Sequence, residues 1–386
     1  MKELTIFDLI YQPFKINKPI RLIELFGGYG SQALALKYLG ANYESYKLCE
    51  WAVKSIQAYK DIHFTDDNTD YSKDLTTDEV IEYLFNKGIS SNYNDSMSKE
   101  SIKRLGEKQL RNIYNNIKAT HNLVNIQQVK GEDLEIVDKE HYTYLLTYSF
   151  PCQDISGAGL GKGFSDTPTR SGMLWEVERI LKECKDKPQV LLMENVPLIH
   201  SEGNGNLKDF NKWILSLEEM GYKNYWQDLS ATDYGIPQTR VRTFMVSLLG
   251  DYTYTFPQPI KLEKKLKDML EDNVDEKYFL SQKMIDGMTN TQFHSYQLDA
   301  RLYDVGGNIG TLTTSTGERC PHLIKDIPSN LKIKNNNSKG YIEAEEGDGI
   351  DISSRMIHHR GTVQKGKAQT ISTMGGENVG VVVNDR

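Results

Sequence analysis

Arg21-Leu22-Ile23-Glu24-Leu25-Phe26-Gly27-Gly28-Tyr29-Gly30 sets a stretch that reads as a strand, Arg21–Phe26, directly against a cluster of glycines. A helical stretch, Ser31–Tyr38, follows at once. Glycines at such a turn let a ligand approach the main chain closely, and the helix N-terminus behind them favours a carboxylate. The spacing does not match the GxGxxG pattern of dinucleotide sites. Outward from this unit the same alternation continues to about Leu249. Strands are expected at Tyr43–Cys49, Tyr144–Ser149, Val190–Met193 and Thr243–Leu249, and helices at Ala52–Lys60, Gly172–Lys182 and Leu207–Met220. Strands alternating with helices at this spacing predict an α/β fold, a doubly wound, mostly parallel sheet covered on both faces. Ligands then sit at the carboxyl ends of the strands, so chemistry is expected from the residues just after each strand.

Two regions break the rhythm. Residues 61–125 are polar and carry one expected helix, Lys99–Thr120, which reads as an insertion on the rim of the sheet without a legible function. Beyond Tyr252 comes a charged helical connector, Lys261–Met269, and then a Thr/Gly/Asn-rich, β-leaning region. Within it GTLTTSTGERCPHLI from Gly310 and QTISTMGGENVGVVV from Gln369 echo one another, and two similar hairpins in a small β-domain account for the echo.

Composition sets outer limits. With 386 residues, 38% hydrophobic and 26% charged, the chain has material for two to three domains and at least one substantial core. No apolar run is long enough to cross a bilayer. The opening MKELTIFDLIYQPFK lacks the pattern of an export leader. Cys49, Cys152, Cys184 and Cys320 stand far apart with no CxxC pair, so a reduced, cytoplasmic setting is expected, without a disulfide scaffold or cysteine zinc site. A net charge of −7 does not advertise nucleic acid, yet a local basic strip on an acidic protein can still hold a phosphate backbone.

Four groups of residues at strand ends carry chemistry. Glu50 and Trp51 follow the second strand, where an acid can accept hydrogen bonds from ribose hydroxyls and an indole can stack on a base. A helix-start acid beside a core tryptophan is the alternative. Phe150-Pro151-Cys152-Gln153 leads into a loop with Gly157, Gly159, Gly161 and Gly163. A thiol there is poorly placed for packing and well placed as a nucleophile, provided the site lowers its pKa or deprotonates it. Glu194-Asn195-Val196 ends the next strand, so Glu194 is expected beside Cys152 as a carboxyl able to donate a proton to a ring nitrogen. Gln238-Thr239-Arg240-Val241-Arg242 puts two arginines on one side of an extended segment, suited to an anion such as phosphate.

FGGYG, Glu50-Trp51, PCQDIS, MENV and DYGIPQTRVR, in this order, resemble the DNA (cytosine-5) methyltransferase family over roughly residues 20–250, apart from the insertion. The resemblance implies a Rossmann-like S-adenosylmethionine-dependent methyltransferase domain, residues 1–255. A connector and a smaller β-rich target-recognition domain follow over residues 256–386. It implies methylation of a flipped-out cytosine in double-stranded DNA, with Cys152 attacking C6, Glu194 serving N3, and Arg242, supported by Arg240, holding the base oxygen or a phosphate. Asn195 is implied to orient the loop that carries Cys152. For S-adenosylmethionine the carry-over gives Phe26, Gly28 and Gly30 at the methionine end, Glu50 on the ribose, and Trp51 and Leu134 around the adenine. Asp133 falls on the adenine amino group, and Pro151 and Leu174 on the donor side. DNA contacts are expected from Gln153, Ser156, Arg170 and Gln238, and from Arg355, Arg360, Lys365 and Lys367. The last four lie in a stretch, Ile352 to Gly376, that holds no acidic residue.

His358 and His359 are adjacent without Cys or acid partners, so no metal is expected. The family's later arginine-glutamate segment and final Gly-Asn helix find no match. A truncated sequence, a naturally shortened relative that binds DNA without turnover, and one half of a split enzyme completed by a second subunit therefore stay open. The tRNA-directed branch is disfavoured, because its Cys-Phe-Thr segment has no counterpart between Glu194 and Arg242.

Overall fold

The structure, a computed structural model, describes residues 12–151, 172–202, 206–271 and 274. It also describes the short runs 302–304, 306–310, 322–324, 331–334, 341–344, 349–351, 362–364 and 379–381. By compactness the chain divides into two units, Met1–Asp228 with Arg242–Phe256, and Leu229–Val241 with Pro257–Arg386.

The first unit is organised by a six-stranded sheet. Its strands in chain order are β1 (Ile20–Leu25), β2 (Tyr43–Cys49), β3 (Thr143–Tyr148), β4 (Val190–Asn195), β5 (Tyr222–Ser230) and β6 (Val241–Leu249), and they lie side by side as β2-β1-β3-β4-β6-β5. The β1–β2, β1–β3 and β3–β4 pairs are parallel, whereas β4–β6 is antiparallel. The last expected strand thus begins two residues earlier than its apolar run and returns against its neighbour. β5, unread in the sequence because Tyr-Lys-Asn-Tyr-Trp-Gln-Asp lacks an apolar run, occupies the edge beside it. The chain leaves β1 for β2 on one side and resumes at β3 on the other, so the carboxyl ends of β1 and β3 flank a topological switch point.

Helices cover both faces: α1 (Ser31–Tyr38), α2 (Val53–His63), α6 (Met173–Glu183) and α7 (Asn206–Glu219). All six residues of β3 are buried, which is why its sequence, Thr-Tyr-Leu-Leu-Thr-Tyr, shows no polar face. Successive side chains divide between two cores. Ile23, Leu25, Tyr144, Leu146 and Tyr148 join Leu174, Val177, Phe210 and Trp213 from α6 and α7. Ile20, Leu22 and Leu145 join Ala33 of α1 and Val246 and Leu248 of β6. Within the first core Trp213 Nε1 donates to Tyr148 Oη at 3.1 Å.

The insertion holds three helices, α3 (Thr77–Lys87), α4 (Lys99–Lys103) and α5 (Glu107–Ala119). The single helix expected over Lys99–Thr120 is therefore two, broken where extended Gly106 starts α5 afresh. α3 escaped notice although it carries a reciprocal capping box between Thr76 and Glu79 and ends on left-handed Gly88, both legible signals. Val80, Ile81, Leu84, Ile89, Ile102, Leu110, Ile113 and Ile117 bury together with Ile56 of α2 in a third core.

The helix expected over Lys261–Met269 is a single 3-10 turn, Leu266–Met269. Lys261, Lys264, Lys265 and Lys267 repel one another at helical spacing, and Leu266 N–H is spent on Gly307 O at 2.9 Å. Elsewhere in the second unit the described segments are short strands. Leu302–Asp304 pairs in parallel with His322–Ile324, and Leu331–Lys334 antiparallel with Tyr341–Ala344. Gly349–Asp351 pairs antiparallel with both Thr362–Gln364 and Val379–Val381. The apolar ends of the two echoing stretches are thus strands paired to 302–304 and 349–351. The rest of each stretch lies largely outside the described residues, and the two-hairpin expectation with it.

Candidate active site

The turn after β1 is held tightly from below. Phe26 N–H and Gly27 N–H both reach Cys49 O, at 2.8 and 3.4 Å, and Phe26 sits at φ 58°, a conformation that costs a non-glycine residue free energy. Gly30 combines φ 82° with a close approach: a Cβ there would lie 2.2 Å from His63 Nε2 and 2.6 Å from the Tyr59 ring. Gly28, at φ 56°, faces open space, with nothing within 4 Å of where a Cβ would stand.

Glu50 lies across from this turn. Its carboxylate is only 8% exposed and accepts Gly28 N–H at 3.0 Å and Ala52 N–H at 2.7 Å. Burial pushes its pKa up, while those backbone donors pull it back. Trp51 beside it is half-buried and packs against the insertion's core. A buried, donor-held carboxylate next to an open glycine turn fits a ligand that brings hydroxyl groups to Glu50 and lies along the main chain at Gly28. Of the other residues expected around a cofactor, Leu134 and Leu174 are fully buried in one core, with Phe26 packed against it. Asp133 spends one carboxylate oxygen on Lys130 N–H at 2.8 Å, capping its own turn, Gly131–Leu134. Pro151 is half-buried just past β3.

At the carboxyl end of β4, Glu194 is opposite Phe244 and Asn195 opposite Thr243 across the antiparallel pair with β6. That register brings Arg242 Nε within 3.1 Å of Glu194 Oε1, both side chains being mostly covered. Asn195, buried, donates from Nδ2 to Phe150 O at 3.2 Å, two residues before Cys152 in the chain. Three residues missed in the sequence back this corner. Thr243 Oγ1 donates to Asp228 Oδ1 at 2.5 Å, and that carboxylate also holds His200 Nε2 at 3.1 Å.

In the second unit, Gln238 and Thr239 pair in parallel with Ile309 and Gly310, and Arg240 O accepts Ala231 N–H at 2.9 Å. Cys152, Gln153, Ser156, Arg170, Arg355, His358, His359, Arg360, Lys365 and Lys367 lie outside the described residues, as do the loop glycines from Gly157 to Gly163.

Two further groups went unread. Asn122 bonds to the main chain of Glu50, 72 residues away in sequence, and only its place after α5 hinted at it. Glu24, fully buried on β1, accepts Tyr59 Oη–H at 2.6 Å and Ala33 N–H at 3.3 Å, and burial raises its pKa to about 7. A carboxylate among Leu22, Ile23 and Leu25 in a buried stretch of strand was the available signal.

A family model described as C-5 cytosine-specific DNA methylase matches residues 87–370. The type II methyltransferase M2.ScrFI of Lactococcus lactis subsp. cremoris is 36% identical over 288 residues, 74% of this chain and 76% of that protein. The orphan methyltransferase M.SssI of Spiroplasma monobiae is 34% identical over 358 residues, 87% of this chain and 90% of that protein. Among solved structures, the Entamoeba histolytica methyltransferase EhMeth superposes with a TM-score of 0.50 at 16% identity, covering 79% of this chain and 74% of its own, a likeness of fold. None of these matches supports a second subunit. No helix among the described residues is long and apolar enough to cross a membrane.

Proposed function

The chain belongs to the C-5 cytosine-specific DNA methylases, and from that premise we propose that it methylates C5 of a flipped-out cytosine in double-stranded DNA through a covalent bond from Cys152 to C6. The observation that carries the reading is the Glu194–Arg242 pair at 3.1 Å, fixed by the β4–β6 register beside an Asn195 that holds the main chain leading to Cys152.

Flipping the base costs a few kcal/mol of unstacking and unpairing. Cys152, as thiolate, adds to C6, and Glu194 carries the proton at N3, so that the electron pair accumulates at C5. Arg242 orients Glu194 and meets the base oxygen or the adjoining phosphate, with Arg240 in support. Asn195 sets the direction of the chain at Phe150 and Pro151. After C5 has been methylated, its proton leaves to water, the C6–S bond breaks and Cys152 is released. S-adenosylmethionine, when bound, supplies the electrophilic methyl group. Glu50 would hold its ribose, Trp51 and Leu134 its adenine with Asp133 on the amino group, and Phe26, Gly28, Gly30, Pro151 and Leu174 the methionine side. The fit at Glu50 and Gly28 supports this donor.

On the DNA side the reading assigns Gln153, Ser156, Arg170 and Gln238 to the vicinity of the flipped base, and Arg355, Arg360, Lys365 and Lys367 to phosphates and base edges. Transfer of labelled methyl groups from S-adenosylmethionine to unmethylated genomic DNA tests the proposal. Wild type is expected to transfer label and Cys152→Ser to transfer none while still binding DNA. Turnover by Cys152→Ser, or a folded wild type that transfers nothing, overturns it.

A further inference from the structure

The segment between α2 and β3 returns to one place. Its third core packs beneath Trp51 and Val53. From the turn after α3, fully buried Ser90 donates its N–H to Trp51 O at 2.8 Å and accepts Val53 N–H at 2.9 Å, making an isolated parallel bridge to Ala52. From the turn after α5, buried Asn122 reaches Glu50 with both ends of its amide. Oδ1 accepts Glu50 N–H at 3.1 Å and Nδ2 donates to Glu50 O at 2.9 Å. The same Oδ1 accepts Val124 N–H at 2.9 Å, and Leu123 N–H bonds Leu48 O at 2.8 Å. Glu50 N–H and C=O, Trp51 C=O and Val53 N–H are thus all held by this segment, while Ala52 N–H is held by the Glu50 carboxylate itself.

We propose that residues 64–125 are the positioning scaffold of the methyl-donor site, and that Asn122 is the positioning residue that sets Glu50. The inference rests on the reading of Glu50 and Trp51 as the nucleoside-binding pair. The physical reason is the location of Glu50 just past the end of β2, which is the edge strand of the six-stranded sheet and meets Asn122 only through an isolated bridge at Leu48 among the described residues. A buried peptide there needs partners. A carboxamide, which accepts and donates in one plane, supplies both as a neighbouring strand would. With the main chain of residue 50 fixed on one side and Gly28 N–H on the other, the carboxylate has one direction in which to face a ligand. Ser90 does the same for the peptide that carries the Trp51 indole, through its main chain and therefore independently of its side-chain identity.

Removing the Asn122 amide takes away both of its bonds to Glu50 and lets the carboxylate turn. Asn122→Ala is therefore expected to weaken binding by about tenfold or more. Calorimetric titration with S-adenosylhomocysteine reads this without turnover. Steady-state kinetics should add a raised KM for S-adenosylmethionine with kcat at saturation within about twofold, the pattern of lost ground-state binding. Asn122→Ser keeps a single hydroxyl in place of the two-ended amide, so an intermediate loss is expected, and it serves if Asn122→Ala folds poorly. Leu248→Ala, which opens a different core opposite Val190, at the other end of β4 from Glu194, is the comparison: lowered stability with wild-type affinity. Wild-type affinity in both Asn122 variants overturns the inference, as does an equal loss in Leu248→Ala. A folded wild type that fails to bind S-adenosylhomocysteine removes the donor reading itself.

Discussion

Glu24→Gln offers a quantitative test of how the glycine turn is supported. The Glu24 carboxyl is fully buried on β1, with Tyr59 Oη–H on one oxygen and Ala33 N–H on the other. Burial raises its pKa from 4.5 to about 7, the two donors offsetting part of the effect. Folded protein therefore binds this proton more tightly than unfolded chain does. Stability from the protonated carboxyl is fully present below pH 4.5 and is lost as pH rises through about 7. At about 1.4 kcal/mol per decade the loss amounts to about 3 kcal/mol. Glutamine cannot ionise, but it offers one accepting oxygen where the carboxyl offers two, and its nitrogen accepts from neither donor, which removes about 1 kcal/mol at every pH. Relative to wild type, Glu24→Gln is thus expected to be about 1 kcal/mol less stable near pH 4.5 and about 2 kcal/mol more stable near pH 8.5, crossing between about pH 5 and 6. Urea unfolding of both proteins across that range, followed by tryptophan fluorescence, measures the difference directly. A difference that stays constant with pH would refute the argument that burial of this carboxyl governs its titration.

Two other substitutions probe the frame and the chemistry. A Cβ on Gly131 would stand 2.5 Å from Cys184 N and 2.6 Å from the Glu183 carbonyl carbon, main-chain atoms at the end of α6 that cannot swing aside. Gly131→Ala is accordingly expected to cost about 1–3 kcal/mol in urea unfolding, and an unchanged midpoint would contradict the close approach. Glu194→Gln preserves shape but removes the acid paired with Arg242. Its kcat is expected to fall by about 100-fold or more with DNA affinity and its salt dependence retained, and near-normal turnover would end the assignment of Glu194 to N3.

Much of the architecture could be read from local pattern. The strand-turn-helix unit at Arg21–Tyr38, the second strand at Tyr43–Cys49 and the buried run at Thr143–Tyr148 announce themselves because burial of one or both faces imposes a period on neighbouring residues. The order of Glu50, Cys152, Glu194 and Arg242 along the chain, each beside an expected strand, was enough to suggest one family and its chemistry. Helix signals failed where they were weak or ignored, as at the capping box before α3 and at Gly106 inside the second insertion helix. What only the tertiary structure decided was the choice of distant partners. The antiparallel return of β6 puts Arg242 on Glu194, the Glu24 carboxyl meets Tyr59, and the Asn122 amide meets the main chain of Glu50. None of these has a sequence-local signature. A buried polar group must find a partner, but the identity of that partner depends on which segments packing brings together, and apolar periodicity specifies the face that is buried without naming what lies against it.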